Sequence, residues 1–501
     1  MYYLCLFVQA RIISIDITQQ KPISPYVYGA NNMQWGKMGK GYPLVRQGGN
    51  RMTAYNWETN ASNAGSDYQH QNDGFLSQST EPGIVPASYM KAAQENGAAV
   101  LLTIPTLGYV SADKNADGDV NKTPDYLNKR FFKSYAKKPG GKYVYPPDLT
   151  DKAVYQDELV AYLEKTKSPK TPVWYSLDNE PDIWSGTHAR IHPNKLTFAE
   201  IIKNNTAFAS AIKAVAPSTM VFGPANYGWQ GFRTLQDAPD QNKRDFLDTY
   251  LEAMKGAESS GGKRLLDVLD IHWYPEAQGG GVRITEKDKT PETAAARIQA
   301  PRSLWDPGYV EKSWIIDTLG GKPIALLPRV MGQIDAHYPG TKLAITEYNY
   351  GGDKTGSGLV AQADALGIFG RYGLFAACNW GIGPQAPAQI AGFEAFLNFD
   401  GRGGKFGDIA VAVKGETAAE NSVYASLSSK SRKRMTLVLV NKLTTDQKFI
   451  LSLPSTAKLA RGYVMDPLAP ASPKTIEGES SGTNLTYKLP ATSVATVEVM
   501  L

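Results

Sequence analysis

The stretch WYSLDNEPDIW, residues 174–184, sets a group of polar side chains at the end of a short apolar run. Residues 173–177 are mostly aromatic or branched, which is the composition of a buried strand. The polarity reverses over residues 178–180, Asp-Asn-Glu, a change that packing alone does not require. Because a proline disfavours the helical conformation at the residue before it, we predict that Glu180 is held extended at the mouth of a strand.

Seven more apolar runs accompany this one, and helical spacing of apolar residues follows most of them. Eight short buried strands that alternate with helices predict an α/β fold, a (β/α)8 TIM barrel. An open doubly wound sheet is the alternative, but no phosphate-binding glycine motif follows any run. The runs are YVYGAN (26–31), PLVRQGG (43–49), AAVLLTIP (98–105), PVWYSLDNE (172–180), TMVFGPA (219–225), LLDVLDIHWYP (265–275), KLAITEYNY (342–350) and LFAACNWG (374–381).

The pattern changes near residue 408, where strand-like segments follow one another closely between Pro, Gly, Ser and Asp residues. Such a series predicts a second, smaller domain, an antiparallel β-sandwich. The alternating segment RIISIDIT near the N-terminus is suited to add one strand to that sandwich. We therefore assign residues 24–405 to the catalytic barrel and residues 10–23 plus 406–501 to the sandwich.

Composition excludes several classes of protein. The 501 residues carry a formal charge of only +5, and no basic run is interleaved with aromatic residues, so we expect no nucleic-acid partner. No apolar run reaches the length of a membrane span, and we expect no membrane partner and a monomer. Cys5 and Cys378 do not form a disulfide framework. The apolar residues 1–10 are shorter than a signal peptide, and we read them as a truncated signal or a cloning junction.

Reactive side chains stand at the carboxyl ends of several predicted strands, which is where barrel enzymes place their active sites. The fourth strand ends at Glu180 and the seventh at Glu347, while His272 and Tyr274 end the sixth and Arg46 ends the second. Strands four and seven face each other across the barrel mouth, so the two glutamates can approach to about 5–5.5 Å, the separation of a retaining glycosidase.

The neighbours of the two glutamates suggest their roles. We assign Glu180 as the acid/base, since two close carboxylates repel and one pKa rises. Hydrogen bonds from Arg46 and Tyr274 would keep Glu347 ionised, so we assign it as the nucleophile. We expect the amide of Asn179 to hold a sugar hydroxyl, and His272 to help position the pair.

Several long motifs resemble glycoside hydrolase family 44, and the likeness runs from YGANN (28–32) to the final strands. They are YSLDNEPDIWSGTHARIHP (175–193), RLLDVLDIHWYPEAQGGG (264–281), IQAPRSLWDP (298–307), YPGTKLAITEYNYGG (338–352) and FDGRGGKFGD (399–408). The resemblance implies a barrel with a small sandwich, a retaining endo-β-1,4-glucanase activity that often extends to xyloglucan, Glu180 as acid/base and Glu347 as nucleophile. GPANYGWQGF (223–232) departs from the family in its Trp229, which leaves the subsite preference open.

Aromatic side chains on the barrel loops are candidates to stack on sugar rings, and core packing is the alternative for each. The candidates for substrate binding are Trp35, Trp184, Tyr227 and Trp380, with Trp57 and Trp229 beside them. Trp174 and Trp273 fall within strands, and we expect both in the core.

A second acidic set, outside the catalytic pair, is formed by Glu58 after strand two and by Asp148, Asp151 and Asp157 after strand three. Adjacent loops can converge, and the resemblance implies calcium beside the barrel. We therefore predict a structural calcium site at Glu58, Asp151 and Asp157, and no cofactor for catalysis.

Together these features predict a secreted endo-acting hydrolase of cellulose-like glucans and xyloglucan, because a glucan polymer cannot enter a cell. A xylanase or mannanase on the same scaffold is one alternative, and a carbohydrate-binding protein without catalysis is another. A product profile distinguishes the first alternative, and a reducing-sugar assay distinguishes the second.

Overall fold

The computed structural model describes residues 12–38, 41–287 and 290–501. The apolar N-terminal stretch and Cys5 lie outside the described residues, whereas Cys378 is a buried free thiol. Within the described ranges, none of the helices combines the length and the apolar character needed to cross a bilayer.

Eight parallel strands close into a barrel, which confirms the predicted fold class. Each strand pairs with the strands before and after it in the chain, and the eighth pairs with the first through Cys378 and Gly29. The barrel strands are Gly29–Asn31, Leu44–Gln47, Ala99–Ile104, Val173–Leu177, Val221–Asn226, Val268–Trp273, Lys342–Tyr348 and Ala376–Asn379.

Helices cover the outside of the barrel. The last helix before strand seven is Leu326–His337, and the shorter helix Trp314–Thr318 precedes it. Pro328 lies in the first turn of the longer helix, where proline is tolerated because that N–H has no intrahelical partner. The other helices are Asn50–Thr53, Ile84–Glu95, Tyr126–Lys129, Gln156–Thr166, Trp184–Thr187, Phe198–Val215, Trp229–Thr234, Phe246–Gly261, Pro291–Gln299, Gly356–Tyr372 and Pro387–Leu397.

The barrel interior is apolar at one level and polar at the next. A small core cluster takes residues from seven of the eight strands, among them Leu44, Trp174, Val268 and Ala344. Because side chains alternate along a strand, the inward residue two positions further on is Arg46 in strand two, Asp270 in strand six and Thr346 in strand seven. All three are buried, so a layer of polar groups lies directly beneath the barrel mouth.

Ten strands form the second region, a mostly antiparallel sheet folded over its own core. The N-terminal strand Ile12–Pro22 pairs antiparallel with Ile409–Lys414, and its first residues pair parallel with Gln447–Ser452. The strand that the sequence pattern proposed to add from the N-terminus therefore lies in this sheet. The remaining strands are Asn421–Leu427, Arg434–Asn441, Leu459–Val464, Lys474–Ile476, Gly478–Ser481, Asn484–Leu489 and Ser493–Met500.

A buried ionic group joins the sheet to the barrel. Asp364, on the helix Gly356–Tyr372, accepts a hydrogen bond from the Tyr424 hydroxyl (2.6 Å) and pairs with Lys442 at 2.8 Å. Gln362 on the same helix donates to the hydroxyl of Tyr348, the residue after Glu347. The sheet thus fixes the helix that contacts the end of strand seven.

Candidate active site

The backbone at the end of strand four does not have the predicted conformation. Glu180 is left-handed (φ 47°, ψ 54°) rather than extended, and a single turn of 3-10 helix, Pro181–Ile183, follows it. Asp178 is left-handed too, with φ 69°. Proline after Glu180 excludes the right-handed helical region only, and the hydrogen bond from Glu180 N–H to the Ala225 carbonyl (3.0 Å) stabilises the turn. Such conformations cost about 1–3 kcal/mol each and concentrate at functional sites.

The two residues before Glu180 hold this turn in place. The carboxylate of Asp178 accepts hydrogen bonds from the backbone N–H groups of Thr106 and Asn179. The side-chain oxygen of Asn179 accepts from Arg46 Nη2 (2.8 Å) and from Gly49 N–H (3.0 Å). Asn179 is therefore fixed between strands two and four, and its amide nitrogen remains on the side of Asn50.

Glu347 reaches the barrel mouth through an irregularity in strand seven. The register with strand six skips Thr346, so that His272 pairs with Glu347 after Ile271 has paired with Ile345. Arg46 Nη1 donates to Glu347 Oε1 at 2.7 Å and the Tyr274 hydroxyl donates to Oε2 at 2.8 Å. Both oxygens of Glu347 are thus held, by the two residues that the sequence placed beside it.

The two glutamates meet at His272. Nδ1 of His272 lies 2.9 Å from Glu180 Oε1 and 3.6 Å from Glu347 Oε2. One oxygen of each carboxyl group and one nitrogen of His272 all lie within 4.8 Å of one another. The acids of strands four and seven therefore converge on one point, close enough for both to reach the same substrate bond.

Burial and charge distinguish the two acids. Burial raises the pKa of Glu180 well above its ordinary value, and the charge of Glu347 raises it further. Burial also raises the pKa of Glu347, but the charge of Arg46 and its hydrogen bond oppose that rise. Burial and Arg46 lower the pKa of His272, so the imidazole is neutral. Glu180 therefore holds its proton more tightly than Glu347, and the arrangement provides one acid and one carboxylate.

The predicted aromatic platforms divide between surface and core. Tyr227 is 40% exposed and Trp380 is half-buried, so both offer a ring face at the barrel mouth. Trp184 is 1% exposed and packs within the barrel core, which leaves no face for a sugar. Trp35 is half-buried against that core. The others named from the sequence, Trp57, Trp229, Trp174 and Trp273, are all buried.

Trp380 and Gly49 are coupled. A Cβ atom on Gly49 would lie 2.6 Å from Trp380 Cη2, and the backbone there has φ 93°, a conformation that side chains disfavour. Gly49 N–H also donates to Asn179. Glycine at this position thus lets Trp380 lie directly against the loop that holds Asn179.

The sequence did not identify two groups at this site. Trp314, which is 40% exposed, lines a cleft of about 450 Å³ together with Tyr227 and Tyr274. Asn31 accepts from Arg46 Nη1 and donates to the carbonyl of Thr346. The sequence could have identified Asn31, because it is the polar residue that ends strand one, as Arg46 is near the end of strand two.

The second acidic set lies beside the barrel. Burial raises the pKa of Glu58 to about 8, and the charges of Asp151 and Glu158 add to the rise. Asp157 accepts from Lys138 N–H and from the Tyr143 hydroxyl. Among the described residues, one group of three acidic, His or Cys side chains has its ligand atoms within 4.8 Å of one another, as a metal site requires. That group is Glu180, His272 and Glu347, not the second acidic set. Glu58 and Asp151 are therefore close enough to interact electrostatically, but the predicted trio with Asp157 is not drawn together.

A closed parallel barrel whose fourth and seventh strands present paired carboxyl groups is the arrangement of a two-carboxylate glycoside hydrolase. The model of the family described as Glycoside hydrolase family 44 matches residues 61–277. The structure of a Paenibacillus polymyxa xyloglucanase from that family, with xyloglucan, has a TM-score of 0.92 and 37% identity, over 98% of this chain and 99% of that one. The chain belongs to glycoside hydrolase family 44.

Two further relatives are longer proteins. Endoglucanase A of Paenibacillus lautus is 42% identical over 446 residues, which is 85% of this chain and 62% of that protein. Beta-mannanase/endoglucanase A of Caldicellulosiruptor saccharolyticus is 41% identical over 474 residues, which is 88% of this chain and 35% of that protein. The chain thus spans less than two thirds of the length of each.

Proposed function

We propose that this chain is a secreted, endo-acting hydrolase that cuts β-1,4-glucans, including xyloglucan, with retention of anomeric configuration. The observation that carries the proposal is the meeting of Glu180 and Glu347, whose carboxyl oxygens approach within 4.8 Å while their surroundings favour one protonated and one ionised group. A shorter separation favours direct attack by a carboxylate, whereas an inverting enzyme needs room for a water molecule.

In the first step, an oxygen of Glu347 attacks the anomeric carbon. The bond from that carbon to the glycosidic oxygen breaks, and its electron pair goes to the oxygen, which takes the proton of Glu180. Arg46 and Tyr274 hold the attacking carboxylate in place. The products of the step are the departing chain and a glycosyl ester on Glu347.

In the second step, Glu180 acts as a base. It takes a proton from water, whose oxygen attacks the anomeric carbon from the face that the leaving chain has vacated. The bond to Glu347 breaks and its electron pair returns to the carboxylate. Two inversions at one carbon give net retention, and both acids regain their original states.

The rings at the barrel mouth support a polymeric substrate. Tyr227 and Trp314 are each 40% exposed in one cleft with Tyr274, so flat apolar faces continue from the catalytic pair. Sugar rings present apolar C–H faces that aromatic rings can contact. A polymer that lies across several such faces is cut internally, and its size requires an extracellular enzyme.

A mannanase or xylanase is the second candidate. The relative from Caldicellulosiruptor saccharolyticus is described as both a mannanase and an endoglucanase, and subsite shape separates these activities. Trp229, the residue that departs from the family pattern, is 4% exposed, so it can affect a subsite only through its neighbours in the cleft, such as Tyr227.

A product profile tests the proposed function. The purified chain is incubated with xyloglucan, carboxymethylcellulose, xylan and glucomannan, and reducing ends are measured together with viscosity. We expect the highest rates on the two glucans, with viscosity falling early because internal bonds are cut. A profile led by xylan or mannan would support the second candidate. Binding of these polymers without any new reducing ends would identify a carbohydrate-binding protein instead.

We also propose a structural calcium ion at the second acidic set. Its ligands would all be oxygens, which suits a hard cation, and two features favour a positive charge there. Glu58 is a buried carboxyl among other acids, and Glu158 Oε2 is buried without a hydrogen-bond partner. Glu58 and Asp151 would hold the ion, with Asp157 on the adjoining helix, and the ion would serve stability alone.

Removal of calcium should reduce stability most at alkaline pH. The pKa of Glu58 stands at about 8 in the folded chain against an ordinary 4.5, so the folded state binds this proton more tightly than the unfolded state. Its contribution to stability is complete below about pH 4.5 and is lost as pH rises toward 8. We expect EDTA to lower the melting temperature more at pH 8 than at pH 5, and calcium to restore it.

The control for this prediction is Glu58→Gln, which removes the titrating group. This variant should lose the additional sensitivity to EDTA at pH 8. In the wild-type protein, magnesium should restore the melting temperature less well than calcium, because magnesium demands tighter octahedral geometry. An equal melting temperature with and without chelator at both pH values would contradict the calcium site.

A further inference from the structure

A buried acid that takes no part in the two steps above lies below the catalytic pair. Asp270 is fully buried, on strand six two residues before His272. Its Oδ2 accepts a hydrogen bond from the Thr346 hydroxyl at 2.8 Å, and its Oδ1 faces the Thr346 backbone N–H at 3.3 Å. The same hydroxyl lies 3.3 Å from Nε2 of His272. Because Nδ1 of His272 contacts Glu180, the four residues form one continuous chain of polar contacts.

The chain of polar contacts has a direction, because the Thr346 hydroxyl carries a single proton. When Asp270 is ionised, that proton is donated to Asp270, and Thr346 Oγ1 must then accept from Nε2–H of His272. A neutral imidazole with its proton on Nε2 presents a lone pair from Nδ1 toward Glu180. Glu180 completes the chain only if it carries a proton to donate. An ionised Asp270 therefore favours the acid form of Glu180.

We propose that Asp270 is a positioning residue for Glu180, acting through Thr346 and His272 to keep the acid/base protonated before catalysis. The inference rests on the proposed role of Glu180 as acid/base. Without Asp270, the proton of His272 would be drawn to Nδ1, which lies between two carboxyl groups at 2.9 and 3.6 Å. Asp270 opposes that attraction from the other end of the ring.

The charges around these residues set the pH at which this direction applies, because it requires an ionised Asp270 and therefore holds above about pH 7. Burial raises the pKa of Asp270 to about 7, but Arg46 favours its ionised form, as do the hydrogen bonds from Thr346. Glu347 opposes that ionisation, and burial together with the charge of Asp270 raises the pKa of the nearby Cys378 thiol. Three acids face Glu180 and, with burial, raise its pKa: Glu347, Asp182 and Asp67. Arg46 lowers that pKa. The other groups that face Glu180 are the neutral imidazole of His272 and the phenols of Tyr227 and Tyr274.

Asp270→Asn should reverse the direction of these hydrogen bonds, with little change in side-chain volume. The amide oxygen must face the Thr346 backbone N–H, where Oδ1 now accepts, so the amide nitrogen faces the Thr346 hydroxyl and donates to it. The hydroxyl then donates to Nε2, and His272 carries its proton on Nδ1, where it stabilises the carboxylate of Glu180. We expect the alkaline limb of the kcat/KM profile, which reports the acid, to move down by about one pH unit or more.

Thr346 separates the chain from a simple effect of charge. Thr346→Val keeps the charge of Asp270 and the shape of the side chain but removes the hydroxyl, so the alkaline limb should again move to lower pH. Thr346→Ser retains the hydroxyl and should keep the wild-type profile. If Thr346→Val kept the wild-type limb, or if Asp270→Asn lowered activity without moving it, Asp270 would have no positioning role.

The tautomer of His272 gives a readout that does not depend on activity. With nitrogen-15-labelled histidine, and His272→Gln to assign the signal, long-range proton–nitrogen spectra distinguish Nδ1–H from Nε2–H. At pH 7.5 we expect Nε2–H in the wild-type protein and Nδ1–H in Asp270→Asn. Nδ1–H in the wild-type protein would overturn the inference. A wild-type protein with the expected tautomer but no hydrolytic activity would instead refute the proposed role of Glu180, while the chain of polar contacts would stand.

Discussion

Replacement of Glu347 by Gln is expected to leave a folded protein whose hydrolysis of glucans has fallen by roughly four orders of magnitude or more. The amide has nearly the size and shape of the carboxyl group but cannot attack the anomeric carbon. Tyr274 and Arg46 lose an anionic acceptor, so some stability is lost as well. Activity is measured with a soluble glucan, and folding by circular dichroism and melting temperature. Near-normal hydrolysis by a folded variant would exclude Glu347 as the nucleophile.

Glu180→Ala is the matched variant, and azide distinguishes the two roles. On an aryl glycoside whose leaving group needs no acid, this variant should still form the glycosyl ester but hydrolyse it slowly. Azide, which needs no base, should then accelerate turnover and give a product of β configuration. In Glu347→Ala, azide can only replace the missing carboxylate, so that product should have α configuration. The opposite pair of configurations would exchange the two assignments.

Arg46→Met is the second substitution with a large expected effect. Arg46 is fully buried, and its two terminal nitrogens donate to Glu347, Asn179 and Asn31. Removal of one partner of a buried ion pair costs about 3–5 kcal/mol, because the other charge is left uncompensated. The pKa of Glu347 should rise, since Arg46 now opposes its increase. We therefore expect lower unfolding free energy, strongly reduced kcat/KM, and an acid limb displaced to higher pH.

Two controls separate these effects. Arg46→Lys keeps the charge but not the planar fork, so it should recover more of the acid limb than of the rate. Arg402→Met removes an exposed arginine and should change neither quantity. An Arg46→Met protein with the wild-type acid limb would show that another group keeps Glu347 ionised.

Much of the fold was predictable because a buried parallel strand leaves a local signal. Apolar runs followed by helical spacing identified the eight strands of the barrel, and the polar residues directly after them identified Glu180 and Glu347 as neighbours in space. The conformation of Glu180 was not predictable. Pro181 excludes one backbone region, and the choice between the others depends on a hydrogen bond to Ala225 on the adjacent strand.

Features that depend on contacts distant in sequence were also beyond reach. Trp184 was a candidate sugar platform because a tryptophan after a strand end can lie at the surface or in the core, and only the complete fold shows that it is 1% exposed. Asp270 read as part of an apolar strand, since its partner Thr346 lies 76 positions further along the chain. Local patterns thus placed Glu180 and Glu347 beside Arg46 and Tyr274, but they did not identify Asn31, Asp270 or Thr346 as partners of this group.

Trapping of the covalent intermediate tests the central claim most directly. The probe is a 2-deoxy-2-fluoro cello-oligosaccharide with an activated leaving group. Its fluorine destabilises the transition states of both steps, and its leaving group restores the rate of the first step only, so the covalent intermediate accumulates. Intact-mass measurement should then show one added glycosyl group, and peptide mapping should locate it on Glu347. No added mass in an active enzyme, or a label on any other residue, would contradict the assignment of Glu347 and Glu180 as nucleophile and acid/base.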